Sequence, residues 1–278
     1  MGDAPLTWVD GKPARDLPLP DRGMAFGDGF FETLLISRGT ALFPEYHLDR
    51  LHCGLEMLGF PPVNTLGRDI NITAGQLREV GWPWASLRLT VTRGSGPRGY
   101  SPPDEAQARV VIEANRIERD CAAMLAPASL DVATVRLARQ PALAGLKHLN
   151  RLEQVIAARE AQASNADDLV MLDTNGEVVG VVAGNLFLRR GSTLYTPPLR
   201  ECGVAGTRRR LVIEQWAERC SLAVEQSALT VDDFAQADEV FITNSLVTVR
   251  PVARVMEHAQ QDHSAASALF ELFRSELP

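Results

Sequence analysis

Alternation of apolar and polar residues predicts several strands in this chain. From Ser86 to Thr92, leucine and valine alternate with arginine and threonine, which is typical of a half-buried strand. Leu34 to Phe43 reads as a hairpin across an Arg38-Gly39 turn, and the Asn175-Gly176 turn predicts a second hairpin. Further strands are predicted at 109–114, 130–137, 167–172, 177–188, 192–195, 222–226, 239–243 and 247–252.

Apolar residues at helical spacing predict five helices between these strands. The spacing favours helices from Pro44 to before Pro61, from Leu66 to Glu79, from Asn150 to about Ala163, from the Gly203–Arg210 loop to about Cys220, and from Ser264 to Glu276. This mixture predicts an α+β protein. A domain at residues 1–115, a linker at 116–128 and a second domain at 129–278 are predicted from the change in pattern.

Composition narrows the function classes. The net charge of −7 argues against a non-specific nucleic-acid binder, and no apolar run reaches the roughly 18 residues of a membrane span. Four cysteines are widely spaced and form no CxxC pair, which favours reduced thiols and a cytoplasmic protein. No metal site is predicted.

Only two lysines occur among the 28 basic residues, Lys12 and Lys147. Lys12 lies in an Asp-Gly-Lys-Pro turn, where a solvated cation is expected. Lys147 is flanked by apolar residues, and such a lysine can act as an amine nucleophile or Schiff-base former. The alternative is a lysine with a packed stem and a solvated head at a helix start.

Three glycine-rich loops are candidates for ligand contact. Phe26 to Gly29 surrounds an aspartate with glycines, and Arg93 to Tyr100 carries two arginines that can meet carboxylates or phosphates. Gly203 to Arg210 feeds a helix N-terminus, where backbone N–H groups and the helix dipole suit a phosphate. Arginines in that first turn oppose the dipole, and a bound anion relieves the conflict.

These segments together resemble the class IV (fold-type IV) pyridoxal-phosphate enzymes. The resemblance rests on Phe26-Gly27-Asp28-Gly29, on Arg93–Tyr100 and on the run Leu143–Gln154 around Lys147, and it covers nearly the whole chain. Within the family the likeness is greatest to 4-amino-4-deoxychorismate lyases. It implies a smaller N-terminal α/β domain, a larger C-terminal pseudobarrel domain with helices, and a homodimer.

The resemblance implies roles for particular residues. Lys147 carries pyridoxal 5'-phosphate and later moves protons. The cofactor phosphate and its surroundings are assigned to Arg50, the Thr207 and Arg208 backbone, Asn244 and Ser245. Viewed alone, Arg50 lies off the main apolar stripe of its helix and reads as a solvated surface cation.

For the substrate, the resemblance implies a dianionic, chorismate-derived small molecule. Arg98 is expected to pair with one substrate carboxylate, and the Thr33 hydroxyl is expected to take part in proton transfer. Thr33 stands where transaminases of this family often have glycine. The expected reaction eliminates pyruvate and leaves p-aminobenzoate for folate synthesis.

One position departs from the family pattern. A glutamate usually precedes the Asn-Leu-Phe strand and pairs with the pyridine nitrogen of the cofactor, but Gly180 stands there. Glu177 lies three residues away, and an odd offset along a strand places it on the opposite face unless a bulge intervenes. The loss predicts a weaker electron sink, which harms transamination more than aromatising elimination.

Two alternatives to the lyase remain open. One is an aminotransferase of the same fold acting on D-amino acids or branched-chain amino acids. The other is a catalytically degenerate relative that acts as a binding protein. Gly180 favours the degenerate relative, whereas the presence of Lys147, Arg50, Thr33 and Arg98 opposes it.

Overall fold

The computed structural model describes residues 6–278, which form two compact units. The first unit consists of the described residues up to Cys121, together with Leu146–Asn150 and Leu277–Pro278. The second consists of Ala122–Gly145 and Arg151–Glu276. The predicted boundaries at 1–115, 116–128 and 129–278 stay a prediction, and the first five residues lie outside the described part of the chain.

An antiparallel six-stranded sheet organises the first unit. Its strands are β1 (Leu6–Val9), β2 (Lys12–Pro13), β3 (Gly29–Ser37), β4 (Thr40–Ala41), β5 (Trp84–Thr92) and β6 (Arg109–Arg116), in the order β2-β1-β6-β5-β3-β4. The predicted alternation in β5 is confirmed, since Leu87, Leu89 and Val91 are fully buried.

Three helices accompany this sheet: α1 (Arg22–Phe26), α2 (Pro44–Met57) and α3 (Leu66–Glu79). The bounds predicted for α3 are confirmed. Helix α2 approaches β3 closely at Gly54, where an added Cβ would lie 2.8 Å from the Phe30 ring. The segment just before the predicted Phe26–Gly29 loop forms α1, because the Asp21 side chain accepts a hydrogen bond from the Gly23 N–H and caps a single turn.

The second unit contains a nine-stranded mixed sheet. Its strands are β7 (Ala128–Leu137), β8 (Asp168–Asp173), β9 (Val178–Val181), β10 (Asn185–Arg190), β11 (Thr193–Thr196), β12 (Ala223–Gln226), β13 (Glu239–Asn244), β14 (Thr248–Val255) and β15 (His258–Ala259). Their order is β12-β11-β10-β13-β14-β7-β8-β9, and β15 pairs with β14. The strand predicted from 177 to 188 is interrupted, because Val181 and Gly184 form a tight turn with their backbone groups hydrogen-bonded to each other.

The helices of the second unit are α4 (Leu152–Ala163), α5 (Thr207–Leu211), α6 (Ala217–Arg219) and α7 (Ser264–Ser275), with 3₁₀ turns at Pro141–Leu143 and Val231–Gln236. A π-helical turn, Val212–Trp216, makes α5 and α6 continuous. The predicted α+β class is confirmed. Within residues 6–278, no helix is long and apolar enough to cross a membrane.

Candidate active site

The segment containing Lys147 is held against the start of β3. The Phe31 N–H donates to the Lys147 carbonyl at 3.0 Å, and the Leu149 N–H donates to the Gly29 carbonyl at 3.0 Å. The Asn150 side chain adds a bond to the Gly27 carbonyl at 3.2 Å. Backbone pairing therefore fixes the lysine beside a defined stretch of β3, within the first unit.

The Lys147 amine lies over an aromatic ring on one face of that strand. Its Nζ is 4.3 Å from the centre of the Phe31 ring, and Lys147 is half-buried. Thr33 is two residues beyond Phe31, so its side chain is on the same face of the strand. An amine and a hydroxyl on one face can both serve proton transfer.

Arg88 is a cation on this face whose role the sequence analysis did not identify. It stands directly opposite Thr33 on β5, and its guanidinium lies 4.0 Å from the centre of the Phe31 ring. Burial lowers the pKa of Arg88, and Glu113, 3.9 Å away, offsets only part of this. The alternation in β5 already predicted that Arg88 lies on the polar side of the strand. Its neighbours Thr33 and Phe31 could not be predicted, because they depend on how β5 pairs with β3.

Arg50 is not the solvated surface cation that its helix position suggests. Only 12% of its side chain is exposed, and its Nε and Nη2 both donate to the carboxylate of Glu32, the Nε bond measuring 2.8 Å. His47 Nδ1 lies 2.7 Å from the same carboxylate. The charge of Glu32 draws Arg50 inward, and this partner lies 18 residues away in the sequence, where helix periodicity cannot reveal it.

Arg98 lies exposed in the loop after β5. The loop is anchored by Arg22, which donates to the carbonyls of Gly99 at 3.0 Å and Tyr100 at 2.7 Å. Arg22 is in turn held by Asp28 at 2.9 Å. The predicted contact between Arg98 and a substrate carboxylate stays a prediction.

Asp28 also holds a second arginine, Arg93, at 2.8 Å. The terminal nitrogens of Arg93 donate to the carbonyls of Leu58 and Gly59, each at 2.9 Å, just beyond α2. Burial raises the pKa of Asp28, and the two arginines outweigh this, so that its pKa lies below the ordinary value. The Phe-Gly-Asp-Gly motif thus supplies the hub of a charged network.

In the second unit, the loop before α5 forms a tight cradle. Gly206 lies so close to Asn185 that an added Cβ would be 2.0 Å from the side-chain oxygen. Asn185 Nδ2 donates to the Val204 carbonyl at 2.9 Å, and Gly145 bonds to the same loop on both sides of Val204. The helical ladder begins with Arg210 N–H to Gly206 C=O, so the Thr207 amide points toward the helix N-terminal end.

Two arginines are buried at this helix start. Arg208 is 1% exposed, and its Nη2 lies 3.5 Å from the Ser245 carbonyl. Arg209 donates to the Pro197 carbonyl at 2.6 Å and to the Gln226 side chain at 2.8 Å, and burial lowers its pKa to about 10. Buried cations at the positive end of a helix create a local demand for an anion.

Asn244 is engaged in its own turn. Its side-chain oxygen accepts from the N–H groups of Leu246 and Val247, each at 2.9 Å, and its nitrogen donates to the Ala183 carbonyl at 3.1 Å. Ser245 follows it, and its carbonyl is the one that Arg208 contacts. The expected roles of Asn244 and Ser245 toward the cofactor stay predictions.

The environment of Gly180 revises the argument about Glu177. A bulge in β9 pairs Val178 with Leu172 and Gly180 with Met171, so Val178 and Gly180 are on opposite faces. This is the intervening bulge that the sequence argument allowed for, so the odd offset no longer places Glu177 on the opposite face from Gly180.

Glu177 is nevertheless occupied elsewhere. Its carboxylate lies 3.5 Å from Arg139, which also pairs with Asp173 at 2.9 Å. Gly180 itself has no space for a side chain, because an added Cβ would lie 2.7 Å from the Gly184 carbonyl oxygen. A carboxylate at position 180 requires a different backbone.

Each unit by itself holds groups whose chemistry fits part of an anionic carbonyl cofactor such as pyridoxal phosphate. The first unit offers a half-buried amine on an aromatic ring, and the second offers a glycine cradle, a helix start and buried arginines. Within residues 6–278, no group of three or more His, Cys, Asp or Glu side chains could hold a metal ion. All four cysteines are free thiols.

The two units thus resemble, each by itself, parts of an enzyme: one holds a half-buried amine, and the other holds a glycine-lined helix start with buried arginines. The family model for class IV amino-transferases matches residues 29–255. The chain belongs to this family.

Similar proteins agree with this assignment. An aminodeoxychorismate lyase from Vibrio harveyi is 34% identical over 90% of this chain and 91% of its own length. A putative branched-chain-amino-acid aminotransferase from Methanocaldococcus jannaschii is 29% identical over 89% of this chain and 85% of its own. The crystal structure of 4-amino-4-deoxychorismate lyase from Pseudomonas aeruginosa superposes with a TM-score of 0.88, at 38% identity, covering 98% of this chain and 99% of that one.

Proposed function

We propose that this chain is a pyridoxal-phosphate-dependent aminodeoxychorismate lyase, which releases pyruvate from 4-amino-4-deoxychorismate and yields p-aminobenzoate for folate synthesis. The observation that carries the proposal is the backbone pairing of the Lys147 segment with the strand of Thr33. It places an amine and a hydroxyl on one face of β3. The similarity to two lyases at 34% and 38% identity supports the same reaction.

The bound cofactor supplies an electron sink that acidifies the substrate carbon next to the amine. Lys147 would hold the cofactor, and its amine would accept the proton from the substrate ring. Thr33 takes part in moving that proton. Breaking the C–O bond to the pyruvate-forming side chain makes the ring aromatic, which favours elimination.

The remaining residues bind and orient. By the family resemblance, Arg50 would hold the cofactor phosphate. The amides of Thr207 and Arg208 would also hold it, with Asn244 and Ser245 at the turn that Arg208 contacts. Arg98 meets a carboxylate of the dianionic substrate, and charge-assisted pairs of this kind are the strong ones. Arg88, opposite Thr33, adds positive charge on the same face. The working form is a cytoplasmic homodimer.

An aminotransferase is the second candidate, favoured by the similarity to the Methanocaldococcus jannaschii protein. Gly180 opposes it, because a ring without a carboxylate partner at its nitrogen is a weaker electron sink. The degenerate, non-enzymatic relative is disfavoured because Lys147 and Thr33 are both retained on one face of β3.

The first test is the visible absorbance of the purified protein before and after borohydride, with Lys147→Ala alongside. We expect a yellow band that reduction removes and that the variant lacks. Release of p-aminobenzoate and pyruvate is then compared with transamination of D-alanine and branched-chain amino acids. A protein that stays colourless with added pyridoxal phosphate contradicts the proposal, and faster transamination than elimination favours the second candidate.

A further inference from the structure

A buried carboxylate, Glu32, lies directly beside Thr33 in β3 but points to the opposite face of the strand. Its side chain is 1% exposed, and it accepts hydrogen bonds from the Nε and Nη2 of Arg50 and lies 2.7 Å from His47 Nδ1. Both partners are on α2, one turn apart. A single carboxylate therefore fixes two side chains of that helix.

The frame around this carboxylate is closely packed. Gly54 approaches Phe30 so closely that no Cβ could be accommodated without movement, and Leu51 is 2% exposed. Helix α2 therefore has little freedom to shift along β3. Within that frame, Glu32 engages the edge of the Arg50 guanidinium that carries Nε and Nη2.

Glu32 accepts hydrogen bonds from both nitrogens of that edge, Nε and Nη2. A carboxylate that engages Nε and Nη2 holds the planar guanidinium in one rotation. The remaining N–H groups of Arg50 then point away from Glu32. A phosphate that Arg50 contacts must approach from that other side.

We propose that Glu32 is a positioning residue that orients Arg50 for the cofactor phosphate. The inference rests on the proposed function, since it requires Arg50 to meet that phosphate. Two neighbouring residues of β3 would then have different roles. Thr33 takes part in the reaction on one face of the strand, and Glu32 orients Arg50 on the other face.

If only the net charge near Arg50 mattered, removing Glu32 would change the affinity for a phosphate in the opposite direction from the loss of a positioning residue. Removing a carboxylate beside Arg50 increases the local positive charge, and this alone should tighten the binding of a phosphate. If orientation dominates, the same removal loosens phosphate binding. The sign of the change therefore discriminates between the two.

The test compares pyridoxal phosphate with pyridoxal, which lacks the phosphate, by absorbance titration of the cofactor-free full chain. The measured quantity is the affinity for pyridoxal phosphate divided by the affinity for pyridoxal. We expect Glu32→Gln to reduce this ratio at least tenfold, while the affinity for pyridoxal itself changes little. In an Arg50→Gln background, Glu32→Gln should reduce the ratio no further. A loss of general stability would weaken both ligands alike and leave the ratio unchanged.

The matched control is Glu239→Gln. Glu239 is also fully buried, pairs with Arg189 at 3.2 Å and accepts from the N–H groups of Ala265 and Ala266. This variant should lose stability and keep the wild-type ratio. If Glu32→Gln does not fold, Glu32→Asp retains the charge on a shorter stem and should reduce the ratio by a smaller factor.

An unchanged or increased ratio in the folded Glu32 variant overturns the positioning role. A wild-type chain that binds neither compound instead refutes the proposed function, so the two failures are distinguishable. A reduced ratio that persists fully in the Arg50→Gln background shows that Glu32 acts through another group, and this outcome also overturns the proposal.

Discussion

The loop before α5 allows a quantitative prediction about Gly206, because the backbone conformation at this position does not require glycine. Its φ of −64° and ψ of 142° are open to any residue, so alanine there costs nothing in backbone strain. The cost arises from the Cβ, which would lie 2.0 Å from Asn185 Oδ1. Asn185 can yield only by giving up its bond to the Val204 carbonyl.

The magnitude follows from those contacts. Overpacking of a closed site costs about 1–3 kcal/mol, and a lost hydrogen bond that leaves a buried carbonyl unsatisfied costs a similar amount. We therefore expect Gly206→Ala to lower the free energy of unfolding by about 2 kcal/mol. Asn185→Ala alone should cost about 1–3 kcal/mol through the lost bond.

The double variant is the decisive measurement. Asn185→Ala removes the atom that the new Cβ meets, so Gly206→Ala should add little cost in its presence. The two changes are then non-additive by about 1–2 kcal/mol. Urea unfolding of the four proteins gives this coupling, and absorbance titration with pyridoxal phosphate should show about tenfold weaker binding for Gly206→Ala.

A control isolates the effect of replacing glycine by alanine. Gly75 is in the middle of α3, and a Cβ there would meet nothing within 4 Å. Gly75→Ala should stabilise the chain by up to about 1 kcal/mol. Strict additivity of the Gly206 and Asn185 changes, or a neutral Gly206→Ala, refutes the reasoning about the cradle.

Three further predictions concern the first unit and the β9 turn. Asp28→Asn should release the loop of Arg98 and raise the lyase KM by about tenfold, with a smaller effect on kcat, in steady-state kinetics. Burial raises the pKa of Glu32 while Arg50 and His47 lower it to about 2, so its ionised form adds about 3 kcal/mol of stability above pH 4.5. That contribution is lost as the pH falls from 4.5 toward 2, and acid unfolding of wild type and Glu32→Gln should converge there; a constant gap contradicts this. Gly180→Glu and Gly180→Ala should share a stability loss of about 1–3 kcal/mol without a gain in lyase rate; a large gain for the glutamate alone would show that the wild-type site is impaired.

The sequence by itself determined the elements whose signals are local. Helix α3 has the predicted bounds because its apolar residues recur at helical spacing and Gly81 and Pro83 follow it. The alternation in β5 predicted which of its side chains are buried and which lie on the polar side with Arg88. Lys147 stood out because it is one of two lysines and is flanked by apolar residues.

Other features were decided by partners far along the chain. The burial of Arg50, on helix α2, depends on Glu32 in β3, and the surroundings of Arg88 depend on its register opposite Thr33. A bulge where β9 pairs with β8 removed the odd-offset argument about Glu177. Local periodicity records only which residues are neighbours within a turn or a strand.

Register, bulges and buried ion pairs were therefore beyond the sequence patterns. Each depends on closing a loop between distant segments and on how much water is excluded when they meet. The sequence determined which reactive groups this protein has. The tertiary structure decided which of them share a face. Lys147 and Thr33 do so because backbone hydrogen bonds join the Lys147 segment to β3 and bring its amine beside the Phe31 ring, which is distant along the chain.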